Sequence, residues 1–353
     1  MKEDYFVVGV MSGTSLDGID LAYIKFSKKV QWGFKILKAE TIKYPTKWYE
    51  ILKGLTNTSL QELEGIDIAY SNYLAQVIQG FIKKHQIKKL DAVCSHGHTA
   101  LHQPDQKLTY QIGNKPHLAQ VLQQTVVCDF RVQDVELGGQ GAPLVPIGDK
   151  LLFSQYDFCL NLGGFANIST DVNQERIAYD ICPVNIVLNH YVIQLGYDFD
   201  DEGNIAASGK VHNELLNQLN ALSFYNKEYP KSLGLEWVNT NIFPLIDEFQ
   251  LPVSDVLCTF VENIAIQIAF QINKREKSTL LITGGGVYNT FLINRLKALT
   301  HQTIIIPEKD VIEFKEALIF GFLGVLKLEN LINCLKSVTG ASKNHSTGKI
   351  FQP

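Results

Sequence analysis

The sequence predicts an α/β protein of two similarly built lobes with an active-site cleft between them. Short β-branched and aromatic runs, bounded by glycine, alternate with helical stretches along the 353 residues. The first three predicted strands follow one another before any helix. A second cluster at residues 158–179 repeats that pattern as strand, glycine turn, strand and strand. A chain of this length, with 46% hydrophobic residues, is able to bury a core in each lobe.

The individual elements are predicted from the spacing of their apolar residues. Strands are expected at residues 6–11, 21–26, 34–41, 92–95, 125–130, 158–162, 280–283 and 303–306. Helices are expected at residues 60–84 and 253–272, where apolar residues recur at three- and four-residue spacing. In the second helix, Ser254 is the expected N-cap and Asp255 lies in the first turn.

The lobe boundary is predicted near the glycine-rich stretch 137–146, because the sequence has no low-complexity linker. The N-terminal lobe takes residues 1–133 in this prediction and is completed by the C-terminal segment 335–353. The second lobe takes residues 134–334. The tail from residue 337 onward is polar, but its mixed composition does not predict disorder.

Composition and charge exclude several classes of partner. A net charge of −4 and a pI near 6.1 give no field that attracts a polyanion, so no nucleic-acid partner is expected. No uninterrupted apolar run of ~20 residues and no export signal is seen, which predicts a cytoplasmic protein without a membrane partner. The six cysteines are scattered without metal-ligand spacing, so reduced thiols, most of them in the core, are expected.

Three glycine-containing turns are candidates for nucleotide binding. Residues 9–18, GVMSGTSLDG, offer amides and hydroxyls to phosphate oxygens, and Asp17 is suited to hold Mg²⁺ through water. Residues 161–169, NLGGFANIS, place an equivalent turn in the second cluster. Residues 283–289, TGGGVYN, lie at a strand-to-helix junction that a ring or phosphate can approach. The alternatives are ordinary hairpins for the first two turns and close helix-on-strand packing for the third. The P-loop, Rossmann, zinc-protease and nucleophile-elbow motifs are absent from the sequence.

Asp180 and two histidines are candidates for substrate chemistry. Asp180 follows a strand and precedes Pro183, so it is either a base that accepts a proton or the N-cap of a helix that starts at Pro183. His96 and His98 either bind a sugar or carboxylate or hydrogen-bond a loop. Their two-residue spacing alone is not evidence of a metal site.

Two further charged residues each have a functional and a structural interpretation. Arg131 follows the strand expected at residues 125–130 and is either a fork for a substrate carboxylate or the partner of Asp134 in an ion pair. Glu316 lies at the start of an apolar helix. It is either a first-turn partner of the helix dipole or a ligand for sugar hydroxyls.

Taken together, these segments resemble the anhydro-N-acetylmuramic acid kinase family over nearly the whole chain. MSGTSLDG, GGQGAPLVP, LNLGGFANI and GGGVYN occur in the family's order and are highly specific as a set. Further matches lie at residues 95–99, 110–114, 180–185, 230–236, 316–317 and 339–341. The resemblance implies a two-lobed actin-like ATPase fold, ribonuclease H-like in each lobe, which hexokinase, actin and the Hsp70 ATPase domain share.

The resemblance also implies ligands and site residues. The first two turns would hold the phosphates of ATP with Mg²⁺, and the third would line a nucleoside pocket in the second lobe. The implied nucleotide-binding residues are Ser12, Gly13, Thr14, Ser15, Leu16, Asp17, Gly18, Ile19, Gly163, Gly164, Asn167, Gly284, Gly285, Gly286 and Asn289. Asp180 would be the catalytic base. His96, Arg131, Asp129 and Glu316 would lie near the anhydro amino sugar, and the family suggests a homodimer.

The implied reaction combines hydrolysis with phosphorylation. Asp180 would activate a water to attack the anomeric carbon, so that the 1,6-anhydro bridge opens and O6 attacks the γ-phosphate of ATP. The product would be N-acetylmuramic acid 6-phosphate, an intermediate of peptidoglycan recycling. The alternatives are a kinase of the same fold for another sugar or a small carboxylic acid, and an actin-like ATPase without kinase activity.

The chain departs from the usual family pattern near the implied base. Members commonly read DTGPGN where this chain reads Asp180 followed by Ile-Cys-Pro-Val-Asn. His98 replaces a glutamine, and Leu235 replaces a basic residue. The altered loop after Asp180 is what keeps the alternative of another sugar open.

Overall fold

The computed structural model describes residues 2–353 and shows alternating strands and helices. The strands are β1 (Asp4–Ser12), β2 (Ile19–Lys28), β3 (Trp32–Ile42), β4 (Ala92–Gln103), β5 (Leu108–Ile112), β6 (Val126–Cys128), β7 (Phe158–Leu162), β8 (Phe165–Val172), β9 (Glu175–Pro183), β10 (Thr279–Thr283), β11 (Thr303–Ile305) and β12 (Lys349–Phe351). The helices are α1 (Thr46–Lys53), α2 (Leu60–Lys84), α3 (Pro116–Leu122), α4 (Val132–Glu136), α5 (Pro146–Leu152), α6 (Asn185–Val192), α7 (Asn204–Ser208), α8 (Asn213–Asn220), α9 (Leu235–Asn241), α10 (Phe243–Asp247), α11 (Val253–Ile272), α12 (Thr290–Leu299), α13 (Lys309–Leu328) and α14 (Lys336–Thr339).

Two sheets form the framework of the chain, and the five strands β6-β4-β1-β2-β3 of the first correspond in order to the five strands of the second. In the first sheet the order is β12-β6-β4-β1-β2-β3, with β5 paired to β4, and in the second it is β11-β10-β7-β8-β9. In each sheet the first strand of the cluster pairs antiparallel with the next strand and parallel with a later one. The α/β class and the repeated strand cluster predicted from the sequence are therefore confirmed.

The first compact unit contains residues up to Leu152 together with Phe314–Pro353, and the second contains Phe153–Glu313. These limits lie elsewhere than the predicted 133/134 and 334/335. The reason is that α5 packs on α13: a Cβ on Gly148 would lie 2.0 Å from Cδ1 of Ile319. Residues 134–152 and 314–334 therefore belong to the first unit. Each unit has its own hydrophobic core.

Helix α2 has the bounds that its apolar spacing predicts. Its N-terminus is a capping box, in which Oγ of Ser59 accepts from the backbone N–H of Glu62 and the Glu62 carboxylate accepts from the N–H of Ser59. Lys83 and Lys84 complement the dipole at its C-terminus. The buried face of the helix packs into the core of the first unit.

Helix α11 also has the predicted bounds, but Ser254 is not its cap. The N-cap is Pro252, whose carbonyl accepts from the N–H groups of Asp255 at 2.9 Å and Val256 at 3.0 Å. Ser254 therefore lies inside the first turn. This helix is long and apolar enough to cross a membrane, and most of its residues are buried in the second unit. All six cysteines are free and buried, as expected.

Helix α13 approaches the central strand β1 closely at Gly9. A Cβ on Gly9 would lie 2.0 Å from the carbonyl oxygen of Ala317 and 3.2 Å from the backbone nitrogen of Gly321. No side chain fits there, because real Cβ atoms do not approach oxygen that closely. The absence of a side chain at Gly9 therefore sets the distance between β1 and α13.

We expect Gly9→Ala to destabilise the protein by about 1–3 kcal/mol, because the added methyl group overpacks this contact. The matched control is Gly33→Ala in β3, where a Cβ would meet nothing within 4 Å. The free energies of unfolding from urea denaturation measure both effects. Equal stability of the two variants would contradict the packing described here.

Candidate active site

The loop between β1 and β2 presents polar groups to solvent. Strand β1 ends at Ser12, and the side chains of Thr14, Ser15 and Asp17 beyond it are exposed. Oγ of Ser15 donates to a carboxylate oxygen of Asp17 at 2.7 Å. Leu16 has a φ of 62°, a left-handed conformation that is uncommon for a leucine. The loop closes a hairpin between β1 and β2, which was one of the two interpretations of this segment. Its exposed oxygen and amide groups also suit a polyphosphate with its cation.

Ser12 differs from the rest of this loop because its hydroxyl is buried. Its Oγ lies 2.6 Å from Oη of Tyr44, 2.7 Å from Oη of Tyr70 and 2.9 Å from Nδ1 of His98. Burial lowers the pKa of His98 to about 4, so the ring is neutral and can accept the hydroxyl proton of Ser12. These contacts anchor the end of β1, and the phosphate contact of Ser12 stays a prediction.

His96 is held as a neutral ring that orients Arg131. Nδ1 of His96 lies 2.9 Å from the carbonyl oxygen of Gly97, which can only accept, so this nitrogen carries the proton. Nε2 of His96 accepts from Nε–H of Arg131 at 2.8 Å. Burial and the Arg131 charge both lower the pKa of His96, in agreement with this tautomer. Of the two interpretations of His96, the structure shows a hydrogen-bonding role within its own unit.

The guanidinium of Arg131 is fixed on two sides. Besides the His96 contact, its Nη1 donates to the carbonyl oxygen of Gly141 at 2.7 Å, and burial lowers the pKa of Arg131 to about 10. The N–H of Gly141 donates to Asp134 at 2.7 Å, so Arg131 and Asp134 hold the two peptide groups that flank the Cα of Gly141. The alternative of an ion pair between them fails within residues 2–353, where no such contact under 4 Å occurs. The planar Arg131 guanidinium is therefore held in place by the neutral His96 ring and the Gly141 carbonyl, and it keeps N–H groups that none of these contacts uses.

Glu316 follows a kink in helix α13. The helix begins at Lys309, earlier than predicted, but Phe314 has non-helical dihedral angles, so Glu316 lies in the first turn after the kink. The side chain is exposed, yet the surrounding protein limits its hydration and raises its pKa. Arg131 and Lys315 oppose that rise, and Asp17 adds to it. The first unit thus brings both Asp17 and Arg131 within electrostatic reach of Glu316.

Asp129 is engaged elsewhere. Its carboxylate forms an ion pair with Nζ of Lys349 at 2.6 Å, which ties β12 to the end of β6. Asp129 also has a positive φ of 60°. Burial raises the pKa of Asp129. The Asp129 carboxylate thus makes a structural contact, and its contact with the sugar stays a prediction.

Asp180 lies within strand β9 beside a bulge. It pairs with Asn167 of β8, whereas the next pair along the strands joins Ala166 to Cys182, so Ile181 is the extra residue. Bulges of this kind re-aim side chains next to functional sites. Helix α6 begins at Asn185 with Val184 as its N-cap, so the interpretation of Asp180 as a helix cap is wrong. The structure brings the candidate base next to Asn167, a predicted nucleotide-binding residue.

The carboxylate of Asp180 is partly buried and held by one oxygen. Its Oδ2 accepts from the backbone N–H of Leu233 at 2.8 Å, and its own N–H donates to the carbonyl oxygen of Lys231 at 3.1 Å. Burial raises the pKa of Asp180, which the Leu233 contact and the Lys231 charge oppose. Sequence reasoning gave the Lys231–Leu233 segment no role, although it lies within the family match at residues 230–236. The family match at residues 230–236 was the feature of the sequence that could have indicated a role for this segment.

The residues that depart from the family pattern after Asp180 point into the core. Ile181, Cys182 and Val184 are 1%, 0% and 0% exposed and belong to the hydrophobic core of the second unit. Their bulk is therefore accommodated by packing within the unit. The altered loop leaves one oxygen of Asp180 without a hydrogen bond from the described residues.

The turn at Gly163 and Gly164 is a hairpin between β7 and β8 that also receives helix α6. The carbonyl of Gly164 accepts from the N–H groups of Val184 at 2.8 Å and Ile186 at 3.3 Å, and that of Gly163 accepts from Asn185 at 3.3 Å. These amides are consequently satisfied within the protein. Gly164 and Asn167 are exposed and remain open to a ligand.

The third glycine turn lies against the second. Gly284 has a φ of 86°, and a Cβ there would lie 2.8 Å from the carbonyl oxygen of Leu162, so both its conformation and its packing require glycine. Gly285 is exposed, and a Cβ at this position would meet nothing within 4 Å. Asn289 caps α12, since its Oδ1 accepts from the N–H of Leu292 at 2.8 Å. Both turns stand at the carboxyl ends of the parallel strands β7 and β10, where open α/β sheets bind ligands.

Comparison with known proteins identifies relatives over the full length of the chain. The family model described as anhydro-N-acetylmuramic acid kinase matches residues 5–353. A relative of that name from Mannheimia succiniciproducens is 35% identical, with 99% of this chain and 100% of the relative covered. Another from Pasteurella multocida is 36% identical, with 99% and 98% covered.

Solved structures give a more distant likeness. A ROK family glucokinase from Streptomyces griseus, in complex with glucose and AMPPNP, has a TM-score of 0.42 at 12% identity. The alignment covers 91% of this chain and 99% of the glucokinase.

We expect Asp180→Asn to stabilise the protein near neutral pH and to lose that advantage in acid. Because folding raises the pKa of Asp180, ionisation of this carboxyl lowers the free energy of unfolding of the parent protein. The loss is absent below the carboxyl pKa of the unfolded chain and is complete once the pH has risen through the pKa of the folded protein. The amide removes the charge but keeps an oxygen for the Leu233 N–H.

Thermal unfolding of both proteins between about pH 4 and pH 8 measures the difference. The matched control is Asp198→Asn, which replaces an exposed carboxylate of the same unit. An Asp180→Asn variant that is less stable than the parent at every pH would contradict the desolvation of this carboxylate.

Proposed function

The chain belongs to the anhydro-N-acetylmuramic acid kinase family, and we propose that it opens 1,6-anhydro-N-acetylmuramic acid and phosphorylates O6 from ATP. The products are N-acetylmuramic acid 6-phosphate and ADP. One water is consumed in opening the anhydro bridge. The reaction returns a cell-wall sugar to metabolism, and a cytoplasmic location and a homodimer remain predictions.

The observation that carries this proposal is the state of Asp180. One carboxylate oxygen is fixed by the Leu233 N–H, and the other has no such partner, so the group is oriented and still able to accept a proton. Its raised pKa makes it a stronger base than an ordinary aspartate once it is ionised. Asp180 therefore takes a proton from the water that attacks the anomeric carbon.

Opening of the bridge creates the nucleophile for phosphorylation. As the bond between the anomeric carbon and O6 breaks, the electron pair stays on O6, which then attacks the γ-phosphorus and releases ADP. Such a transfer depends mainly on positioning and charge neutralisation. One base consequently serves both reactions, and a variant without it should lose both.

We propose that the glycine turns of each unit bind groups of ATP and that Asp17 binds Mg²⁺. In the first unit, the exposed groups of the Thr14–Asp17 loop suit phosphates. In the second unit, exposed Gly164 and Asn167 suit phosphates, and exposed Gly285 suits the nucleoside. The Asp17 carboxylate is an oxygen ligand of the kind Mg²⁺ takes, directly or through water. When bound, the cation neutralises charge on the phosphates.

Arg131 is assigned to the lactyl carboxylate of the sugar. Its planar fork is held by neutral His96 and by Gly141, which fits bidentate recognition of a carboxylate. Glu316, whose pKa is raised by burial and lowered to a lesser extent by the nearby Arg131 charge, is assigned to a sugar hydroxyl. This arrangement favours an acidic sugar over a neutral one.

We expect ADP release from ATP and Mg²⁺ to require 1,6-anhydro-N-acetylmuramic acid and to vanish in Asp180→Asn. A coupled ADP assay measures both, and Asp198→Asn is the control for loss of a carboxylate in the same unit. Sugar-independent ATP turnover that survives in Asp180→Asn would favour an actin-like ATPase. Turnover with a different sugar alone would favour a sister kinase.

We expect Arg131→Lys to lower the preference for anhydro-N-acetylmuramic acid over anhydro-N-acetylglucosamine, which lacks the lactyl group. Loss of a charge-assisted hydrogen bond of roughly 1.5–3 kcal/mol corresponds to about 10- to 100-fold in kcat/KM. The ratio of the two sugars is the readout, because a disturbed loop would slow both alike. An unchanged ratio would remove Arg131 from carboxylate recognition.

A further inference from the structure

A second cluster of potential ligand atoms lies in the first unit, apart from the groups assigned above. Asp134, Cys334 and His345 are 0%, 1% and 5% exposed, and one ligand atom of each lies within 4.8 Å of the other two. Asp134 comes from α4, whereas the other two come from the C-terminal segment. The proposed reaction gives this trio, the Asp134 cluster, no role.

The backbone directs Cys334 and His345 to the same place. They form an antiparallel bridge, in which the N–H of Cys334 donates to the carbonyl of His345 at 3.1 Å and the reverse bond is 3.2 Å. Directly paired residues of antiparallel strands place their side chains on one face. A thiol and an imidazole are thereby presented side by side to the Asp134 carboxylate.

Hydrogen bonding leaves one atom of the cluster unsatisfied. Nδ1 of His345 lies 3.1 Å from the carbonyl oxygen of Lys343, which can only accept, so Nδ1 carries the proton. Nε2 then holds a lone pair, is buried and has no hydrogen-bond partner. It faces Oδ1 of Asp134 at 3.6 Å, which is also an acceptor. Two buried lone pairs that face each other require a positive charge between them or on one of them.

We infer that the Asp134 cluster binds a divalent transition-metal ion, and Zn²⁺ is the ion its ligands suit best. A thiolate, a neutral imidazole nitrogen and a carboxylate oxygen are the ligand types that zinc combines in proteins. On binding, the Cys334 thiol loses its proton to solvent, and the S–H bond to Asp134 is replaced by the metal contact. The lone pair of His345 Nε2 gains a partner.

The surroundings of the cluster orient its carboxylate. Oγ1 of Thr339 donates to Oδ1 of Asp134 at 2.8 Å, and the N–H of Gly141 donates to Oδ2 at 2.7 Å. Metal-binding carboxylates are commonly held by such outer hydrogen bonds. The bound ion would join the C-terminal segment to α4, and so to Gly141, whose carbonyl Arg131 holds.

A metal-free alternative exists in which His345 is doubly protonated and pairs with Asp134. That arrangement also removes the conflict between lone pairs, but it leaves the Cys334 thiol protonated and requires no ion. The two accounts differ in metal content and in the chemical state of the sulfur. Both are measurable without any assay of catalysis.

The test is the metal content of the full-length protein, produced with added zinc sulfate and then dialysed. We expect about one zinc per chain in the parent protein, and little in Cys334→Ser and His345→Asn. Cys258→Ser, which removes a buried thiol of the second unit, is the matched control and should keep its zinc. Thr339→Val keeps all three ligands and should bind zinc about 10- to 100-fold more weakly.

Cobalt substitution of the parent protein tests the proposal without relying on variants that fold poorly. Co²⁺ at this site should give a thiolate-to-metal charge-transfer band that added zinc abolishes. A parent protein that carries no zinc, is not thermally stabilised by zinc sulfate and shows no cobalt–thiolate band would overturn the proposal. The protonated His345 pair would then stand in its place.

Discussion

The contact between Gly9 and helix α13 is the constraint on which the first unit depends. The helix backbone touches β1 where a side chain is absent, so Ala317 and Gly321 are fixed against the central strand. Glu316 precedes Ala317 directly and is fixed with it. The loop that carries Asp17 leaves the far end of the same strand. A single glycine thereby sets the spacing between the sheet and the helix that carries a candidate sugar ligand.

The candidate residues of each unit carry charges and dipoles that are poorly hydrated. Burial keeps His96 neutral, and that neutrality lets the ring accept from Arg131 instead of repelling it. Asp180 and Glu316 both have raised pKa values, because the surrounding protein disfavours their charged forms. Ionised carboxylates of this kind cost folding free energy and are maintained where chemistry needs them. Asp129, also buried, is instead neutralised by an ion pair.

Local patterns in the sequence predicted the fold well, because helices and strands are set by neighbours in the chain. Both long helices have their predicted bounds, and the order of the strands repeats as expected. Contacts between distant residues could not be predicted. For example, no pattern in the sequence indicates that Tyr70, 58 positions away, lies on the hydroxyl of Ser12. Likewise, no pattern in the sequence indicates that the N–H of Leu233, 53 positions away, donates to the carboxylate of Asp180. The unit limits were misplaced for the same reason, since only the packing of α5 on α13 shows where residues 134–152 belong.

The central claim is that one water opens the anhydro bridge while the freed O6 becomes the phosphate ester. Turnover in ¹⁸O-labelled water, with rapid mass spectrometry of the sugar phosphate before its hemiacetal exchanges, tests it directly. The account predicts one labelled oxygen, at the anomeric carbon, and an unlabelled phosphate group. Label in the phosphate, or a phosphorylated product that still contains the anhydro bridge, would contradict it.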